Sequence, residues 1–323
     1  MTIDGLTVHI GDCRESMRQM PEQSVQTCVT SPPYFGLRDY GHDGQIGLEP
    51  TPDEFVAALV EVFREVRRVL RDDGTVWLNI GDSYNNAGSS KNGTGLDGKQ
   101  RGGATGPGGE CGYKKRDTRH AFKQFGIKHK DLIGIPWRLA FALQADGWYL
   151  RQDLIWHKPN PMPESVTDRC TKAHEYIFLL TKSARYYFDA EAIAEASDPA
   201  NNRMSAGIRR TAPGSTDHGG PASGMRDYQT RNRRSVWTVS TKPYSGAHFA
   251  TFPPDLIEPC ILAGSKPGDV VLDPFGGSGT TAGVALKHGR QAVLCELNPE
   301  YAALIPGRVA DVHPHLNQQR LFA

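Results

Sequence analysis

Ser31-Pro32-Pro33-Tyr34 and Asp273-Pro274-Phe275-Gly276-Gly277-Ser278-Gly279-Thr280 lie about 240 residues apart, and each closes an apolar run. The first has the residue types to act on an amine. Two prolines remove two backbone donors and stiffen the chain, so the carbonyl oxygens around them can face a bound group. An amine attached to an aromatic ring is a poor nucleophile because its lone pair is delocalised into the ring. A site that accepts both N–H hydrogens, through the Ser31 oxygen and a proline carbonyl, favours sp³ nitrogen. Tyr34 offers a face on which the ring can stack. Standing alone, the tetrapeptide reads first as a plain turn at a strand end. The second segment gives it a chemical reading.

That second segment is a buried strand running into a Gly-rich turn and then a helix. Glycines let backbone N–H groups approach a ligand closely, and a helix N-terminus favours negative charge. A ligand carboxylate can use that polarity, while Asp273 at the strand end can meet an ammonium. Glu296 follows about twenty residues later at the end of the next strand, placed to accept hydrogen bonds from ribose hydroxyls. A nucleotide phosphate loop is the natural rival. Yet neither G-x-x-x-x-G-K-[ST] nor a strict G-x-G-x-x-G occurs in the chain.

Strands must carry these segments. Periodicity predicts them at 7–10, 26–30, 75–80, 149–156, 176–180, 270–272 and 292–295, with helices at 53–70, 135–145, 254–263 and 280–288. The helix at 53–70 gathers Phe55, Leu59, Val62, Phe63, Val66 and Val69 on one face, with Asp72-Asp73-Gly74 as its expected stop. No periodicity marks 190–235, which reads as loop. Strands alternating with helices, with turn residues at strand ends, predict an α/β fold built on a doubly wound, mostly parallel sheet. Ligands of such sheets bind beyond the carboxyl ends of the strands. Asp12, Ser31, Asp82, Asp273 and Glu296 all fall at those ends.

The 323 residues suit one large α/β unit with insertions, or two domains. No apolar run approaches the ~20 residues of a membrane span. The N-terminus lacks the basic-then-apolar pattern of a secretion signal, so the expected location is the cytoplasm. Six scattered cysteines form no C-x-x-C pair, and no metal site is expected. Net charge is +1, but residues 84–130 hold ten Lys/Arg against three acids and residues 196–235 hold seven Arg against three acids. Two basic, loop-like stretches fit a protein that meets a polyanion. The plain alternative is solvated loops that bind nothing.

Together, Thr30-Ser31-Pro32-Pro33-Tyr34 and Leu272-Asp273-Pro274-Phe275-Gly276-Gly277-Ser278-Gly279-Thr280-Thr281 resemble the amino-methylating DNA methyltransferases of bacterial restriction–modification systems and phages. Members of that family methylate cytosine N4 or adenine N6. With the tetrapeptide ahead of the cofactor loop, the chain is similar to the β-class order, in which target recognition lies between the two. Val8-His9-Ile10-Gly11-Asp12, Trp77-Leu78-Asn79-Ile80-Gly81-Asp82, Trp156-His157-Lys158-Pro159, His174-Glu175-Tyr176-Ile177-Phe178 and His248-Phe249-Ala250-Thr251-Phe252-Pro253 resemble further family segments. The resemblance does not extend to 84–130 or 196–235.

The resemblance implies a Rossmann-like sheet of seven strands. Residues 1–190 would form the catalytic half, with the Gly-rich basic insertion at 84–130. Residues 191–239 would recognise the target, and 240–323 would bind S-adenosyl-L-methionine. It assigns Ser31, Pro32, Pro33 and Tyr34 to catalysis. The cofactor falls to Asp12, Cys13, Thr30, Phe252, Asp273, Pro274, Phe275, Gly277, Ser278, Gly279, Thr280, Glu296 and Leu297, with Asp12 toward the adenine and Phe252 toward the methionine end. DNA contacts are expected from Lys114, Lys115, Arg116, Arg119, Arg209, Arg210, Arg226, Arg231, Arg233 and Arg234. The implied substrate is double-stranded DNA, whose target base must leave the helix to be reached. The class also admits a cognate restriction endonuclease, a homodimer, and a place at the nucleoid of a bacterium or phage host. Ser at position 31 leans toward cytosine N4, with adenine N6 as the alternative. An NAD-dependent oxidoreductase, a non-enzymatic DNA-binding protein and a methyltransferase acting on RNA or protein remain rival readings.

Overall fold

A computed structural model of the protein describes residues 3–37, 39, 41–42, 44–85, 126–197, 230–241 and 252–314. Its longest helix, α2 (Pro52–Val69), is signalled at both ends. Thr51 Oγ1 accepts the Glu54 N–H at 3.1 Å, and Pro52 presets the first turn. Asp53 and Glu54 sit at the positive end of the helix, Arg67 and Arg68 at the negative end. The six apolar residues expected on one face are buried.

The helix ends sooner than the sequence suggested. Leu70 turns extended and opens a strand at once, so Asp72-Asp73-Gly74 lies within β3 (Leu70–Ile80) rather than stopping the helix. The reason is packing. Leu70 is fully buried, and a Cβ at Gly74 would stand 2.5 Å from Leu70 Cγ and 2.8 Å from the Gln26 carbonyl. Glycine is there for close approach, not to break a helix.

The remaining strands are β1 (Leu6–Ile10), β2 (Val25–Thr30), β4 (Tyr149–His157), β5 (His174–Thr181), β6 (Glu195–Ala196), β7 (Thr230–Arg231), β8 (Val236–Thr238), β9 (Val270–Asp273) and β10 (Gln291–Glu296). Eight of them form one sheet in the order β1-β10-β9-β2-β3-β5-β4-β8. That is one more than the seven expected. The addition is β8, which pairs parallel to β4 and inserts Trp237 into the core. It belongs to the segment read as target recognition. Within this sheet β5 runs antiparallel to both neighbours and the other pairings are parallel, while β6 and β7 form a separate antiparallel pair.

One face of the sheet is covered by α1 (Cys13–Arg18), α2 and α3 (Ile135–Ala145), the other by α4 (Pro254–Gly264), α5 (Thr280–Lys287) and α7 (Ile305–Val312). The short α6 (Pro299–Ala302) precedes α7; neither was foreseen. Asp82, read as a strand-end functional acid, caps α3. Its Oδ1 accepts the N–H groups of Gly134 at 2.9 Å and Ile135 at 3.0 Å.

Gly74→Ala should destabilise the fold by about 1–3 kcal/mol, the usual cost of forcing an extra methyl into a packed core. Urea unfolding would read this as a lowered midpoint at unchanged slope; an unchanged midpoint would contradict the close approach.

Candidate active site

From β9 the chain passes through α5 to β10 on one side, while from β2 it passes through α2 to β3 on the other. Successive connections therefore diverge from the β2–β9 pair. Such a switch point opens a crevice at the carboxyl ends of the strands. The two strands pair only at Thr27–Val271 and Cys28–Leu272. Beyond that the ladder stops, and side chains take over. Thr30 Oγ1 donates to Asp273 Oδ1 at 2.6 Å. Above this contact lies a cavity of about 910 Å³, lined by Ser31–Tyr34 from one strand end and 273–278 from the other.

Asp273 is buried and held by three donors. Besides Thr30, Thr281 Oγ1 donates to Oδ2 at 2.7 Å and the Phe275 N–H to Oδ1 at 3.1 Å. Burial nevertheless dominates and pushes its pKa up to about 6, against the lowering effect of those bonds. Glu296 organises the turn opposite. Its Oε2 accepts the Gly277 N–H and its Oε1 the Asn298 N–H, each at 2.8 Å. Burial raises this carboxyl too. Ser278 Oγ, on the same turn, is buried without a hydrogen-bond partner.

The other half of the cavity is built around Tyr34. Its hydroxyl donates to Glu175 Oε2 at 2.6 Å. Asn79 Nδ2 donates to the same oxygen at 3.3 Å, and to the Tyr176 carbonyl at 3.1 Å. Lys158 pairs with Glu175 Oε1, its ammonium 4.1 Å from the centre of the Trp156 ring. The Tyr34 ring lies against Gly81, where a Cβ would come within 2.5 Å of Tyr34 Cε2.

The cavity thus joins most of the residues singled out in the sequence. Ser31, Pro32, Pro33, Tyr34, Asp12, Cys13, Phe252, Asp273, Pro274, Phe275, Gly277, Ser278, Thr280, Glu296 and Leu297 all line it. Thr30 and Gly279 do not. Thr30 lies fully buried beneath and acts on Asp273. Gly279, at φ +94°, turns the chain into α5, where a Cβ would strike Ile305 at 2.8 Å. Asp12 caps α1 and pairs with Arg14 Nη2 at 2.6 Å, which holds its carboxyl below the usual range.

Among the basic candidates, Arg231 and Arg234 pair with Glu195 at 3.5 and 3.2 Å, and Arg233 lies over the Trp237 ring at 4.8 Å. Lys114, Lys115, Arg116, Arg119, Arg209, Arg210 and Arg226 lie outside the described residues. Cys13 and Cys295 line the cavity, but burial pushes both thiols up, Cys295 to about 12, so neither supplies a thiolate at neutral pH. Among the described residues no group of His, Cys, Asp and Glu could hold a metal ion, and no helix is long and apolar enough to cross a membrane.

Sequence reasoning missed Asn79, Gly81, Lys158 and Glu175 as site residues. All four lie within segments already noted, three of them at the carboxyl ends of strands. Glu175 escaped because β5 is antiparallel, so its first residues, not its last, reach the site edge.

An acid-lined Gly-rich turn thus faces the Ser-Pro-Pro-Tyr strand end across the switch point. A family model described as DNA methylase, covering N6 and N4 enzymes, matches residues 25–306, and the chain belongs to that family. It is 48% identical to the Type II methyltransferase M.Cfr9I of Citrobacter freundii over 96% of this chain and 89% of that one. It is 47% identical to the Type II methyltransferase M.SmaI of Serratia marcescens over 93% and 89%. Among solved structures, the PvuII DNA methyltransferase (cytosine-N4-specific) shares the fold at a TM-score of 0.61 and 19% identity, covering 98% of this chain and 93% of that one. A Thermus thermophilus protein complexed with S-adenosyl-L-methionine does so at 0.57 and 23%, covering 95% and 94%. The methyl donor is S-adenosyl-L-methionine.

Asp273 gives the free protein a distinctive pH dependence. Its carboxyl titrates higher in the fold, at about 6, than its ordinary 3.8. The stability this group contributes is therefore fully present below pH 3.8 and lost as pH rises through 6. Asp273→Asn removes that dependence because an amide does not titrate, and Thr281 Oγ1 can turn its proton to the Val29 carbonyl, 3.5 Å away, to accept the new N–H. Without cofactor, the wild-type melting temperature should fall relative to Asp273→Asn between about pH 4 and 7. Parallel melting curves would show that Asp273 titrates normally.

Proposed function

We propose that the protein is a site-specific DNA methyltransferase acting on the N4 amine of cytosine, with Ser31–Tyr34 holding the target base and the 273–281 turn holding the methyl donor. One observation carries this reading: the 2.6 Å bond from Thr30 to Asp273 ties the two segments across the switch point, so that both open on one cavity. Serine as the first residue of the tetrapeptide supports cytosine N4, and the PvuII enzyme that shares the fold is cytosine-N4-specific.

The residues fit S-adenosyl-L-methionine, which supplies a methyl group on a cationic sulfonium. Asp273 and Glu296 offer negative charge to its ammonium and acceptors to its ribose. Ser278 Oγ, buried and unpartnered, is a donor suited to its carboxylate. Phe252 and Leu297 give apolar surface, and Asp12 an acceptor, at the rim.

In the base half, the Ser31 hydroxyl and the Pro32 carbonyl each accept one N–H of the amine, and Tyr34 stacks on the extruded ring. No general base is needed, because the amine sheds its extra proton after the transfer. Rate enhancement comes from alignment of the amine with the donor and from its polarisation. The Glu175 bond and the Gly81 contact fix the Tyr34 ring before the base arrives. Target recognition is assigned to residues 191–239, with Arg234 the most exposed of the described arginines there, and DNA backbone contacts to 84–130.

Methylation-sensitive sequencing of DNA from a host expressing the protein should show N4-methylcytosine at one short sequence. N6-methyladenine there would overturn the cytosine assignment, and a methyl on ring carbon the mechanism.

Under single-turnover conditions Ser31→Ala should slow methyl transfer while cofactor affinity by calorimetry stays near wild type. Tyr34→Ala should lose about 1–3 kcal/mol of base retention. Tyr34→Phe should lose less, because it keeps the stacking face while giving up the Glu175 bond. A Ser31→Ala enzyme with the wild-type rate would take the tetrapeptide out of the chemistry.

A further inference from the structure

Of the large apolar side chains left exposed among the described residues, two line the cavity: Leu37 at 44% and Met162 at 86%. A residue that lines a cavity and is also 86% exposed stands at its mouth. Met162 is flanked by Pro161 and Pro163, so the backbone on either side is restricted.

The loop that carries Met162 is tied down at several points. The Lys158 N–H bonds to the Ala173 carbonyl at 2.8 Å, closing the base of the loop. Asn160 and Thr241 exchange bonds, Thr241 N–H to Oδ1 at 3.0 Å and Nδ2 to the Thr241 carbonyl at 3.2 Å. Glu164 Oε2 holds Arg169 Nη1 at 2.6 Å and the Lys172 N–H at 3.3 Å. Asn160, Glu164 and Lys172 also line the cavity. An unbranched apolar side chain that is 86% exposed buries little apolar surface in the free protein. It gains if an apolar surface arrives.

We propose that Met162 is the side chain that enters the base stack as the target base leaves it, filling the gap at the mouth of the cavity and blocking the base's return. The proposal rests on the reading that this cavity receives an extruded DNA base. Apolar wedges, methionine among them, enter DNA between base steps and offset part of the cost of unstacking. Met162 suits the task because its thioether is long and adaptable, while its flanking prolines and the Asn160 and Glu164 anchors keep its position fixed. Leu37 is less exposed and has no such flanks.

The test is single-turnover methylation of two duplexes carrying the mapped target sequence, one fully paired and one with a mispaired base opposite the target. Extrusion costs less from a mispair. Met162→Ala should slow transfer about tenfold or more on the paired duplex and much less on the mispaired one. Met162→Leu should restore the paired rate, and cofactor affinity should not change. Since Met162 is 86% exposed, its truncation leaves the core intact. Equal slowing on both duplexes, or wild-type rates on both, would overturn the proposal. So would a mispair-rescued defect in Leu37→Ala but not in Met162→Ala. Ser31→Ala run in parallel separates the levels: it should stay slow on both duplexes. A Ser31→Ala enzyme at the wild-type rate would instead remove the reading beneath, whatever Met162 does.

Discussion

A buried carboxylate at the end of β9 ties the two working segments together. Burying an ionisable group is expensive unless donors compensate it, and Asp273 has three, drawn from three places: Thr30 on β2, Phe275 in the Gly-rich turn and Thr281 in α5. None of these bonds is local in the sense of a helix or a ladder. Each fixes one wall of the crevice relative to the others. The β2–β9 ladder has ended by this point, so the Thr30 hydroxyl carries the alignment that backbone pairing no longer supplies. Compensation remains incomplete, as the raised pKa shows. A cation beside Asp273 would complete it.

The base half depends on a different device. Tyr34 leaves β2 on a proline-stiffened segment that pairs with no strand, and its ring would be free to turn without outside support. Support comes from β5 and β3. Glu175 takes the hydroxyl, Lys158 neutralises Glu175, Asn79 donates to the same carboxylate, and Gly81 clears room for the ring. A half-buried ion pair contributes little net stability on its own; its value here is to set one orientation of an aromatic face. β5 can deliver Glu175 only because it runs antiparallel, which brings the start of a strand to the edge where all the other strands end.

Acids line the whole cavity, but their company differs. Asp12, Asp273 and Glu296 line one end, whereas Asp82, Glu164 and Glu175 line the other together with Lys158, Lys172 and His174. The acidic end suits a sulfonium and ammonium. Asp12 is already partnered by Arg14, so the buried pair Asp273 and Glu296 carries most of that character. Lys172 and His174 both have their pKa values lowered, burial being the first cause. A polyanion brought to this end would favour their charged forms.

Much of this was legible in the chain. Alternation of apolar runs and turn residues revealed the parallel α/β sheet, and the two motifs marked the strand ends that meet at the switch point. These are local signals, since period, glycine and proline act over a few residues. Tertiary structure decided what local signals cannot encode. The Asp82 carboxylate reads as a strand-end acid at the site; only the fold shows that, besides lining the cavity, it caps α3, whose first N–H lies 3.0 Å from it. Gly74 reads as a helix stop until Leu70 is seen packed against it. Trp237 lies just past the stretch with no periodicity, where no strand was expected, yet it adds an eighth strand, because a three-residue edge strand is specified by its neighbour β4 and by burial. Glu175 became a site residue only through the direction of β5. Strand direction is set by how the whole sheet closes its core, and no window of sequence contains it.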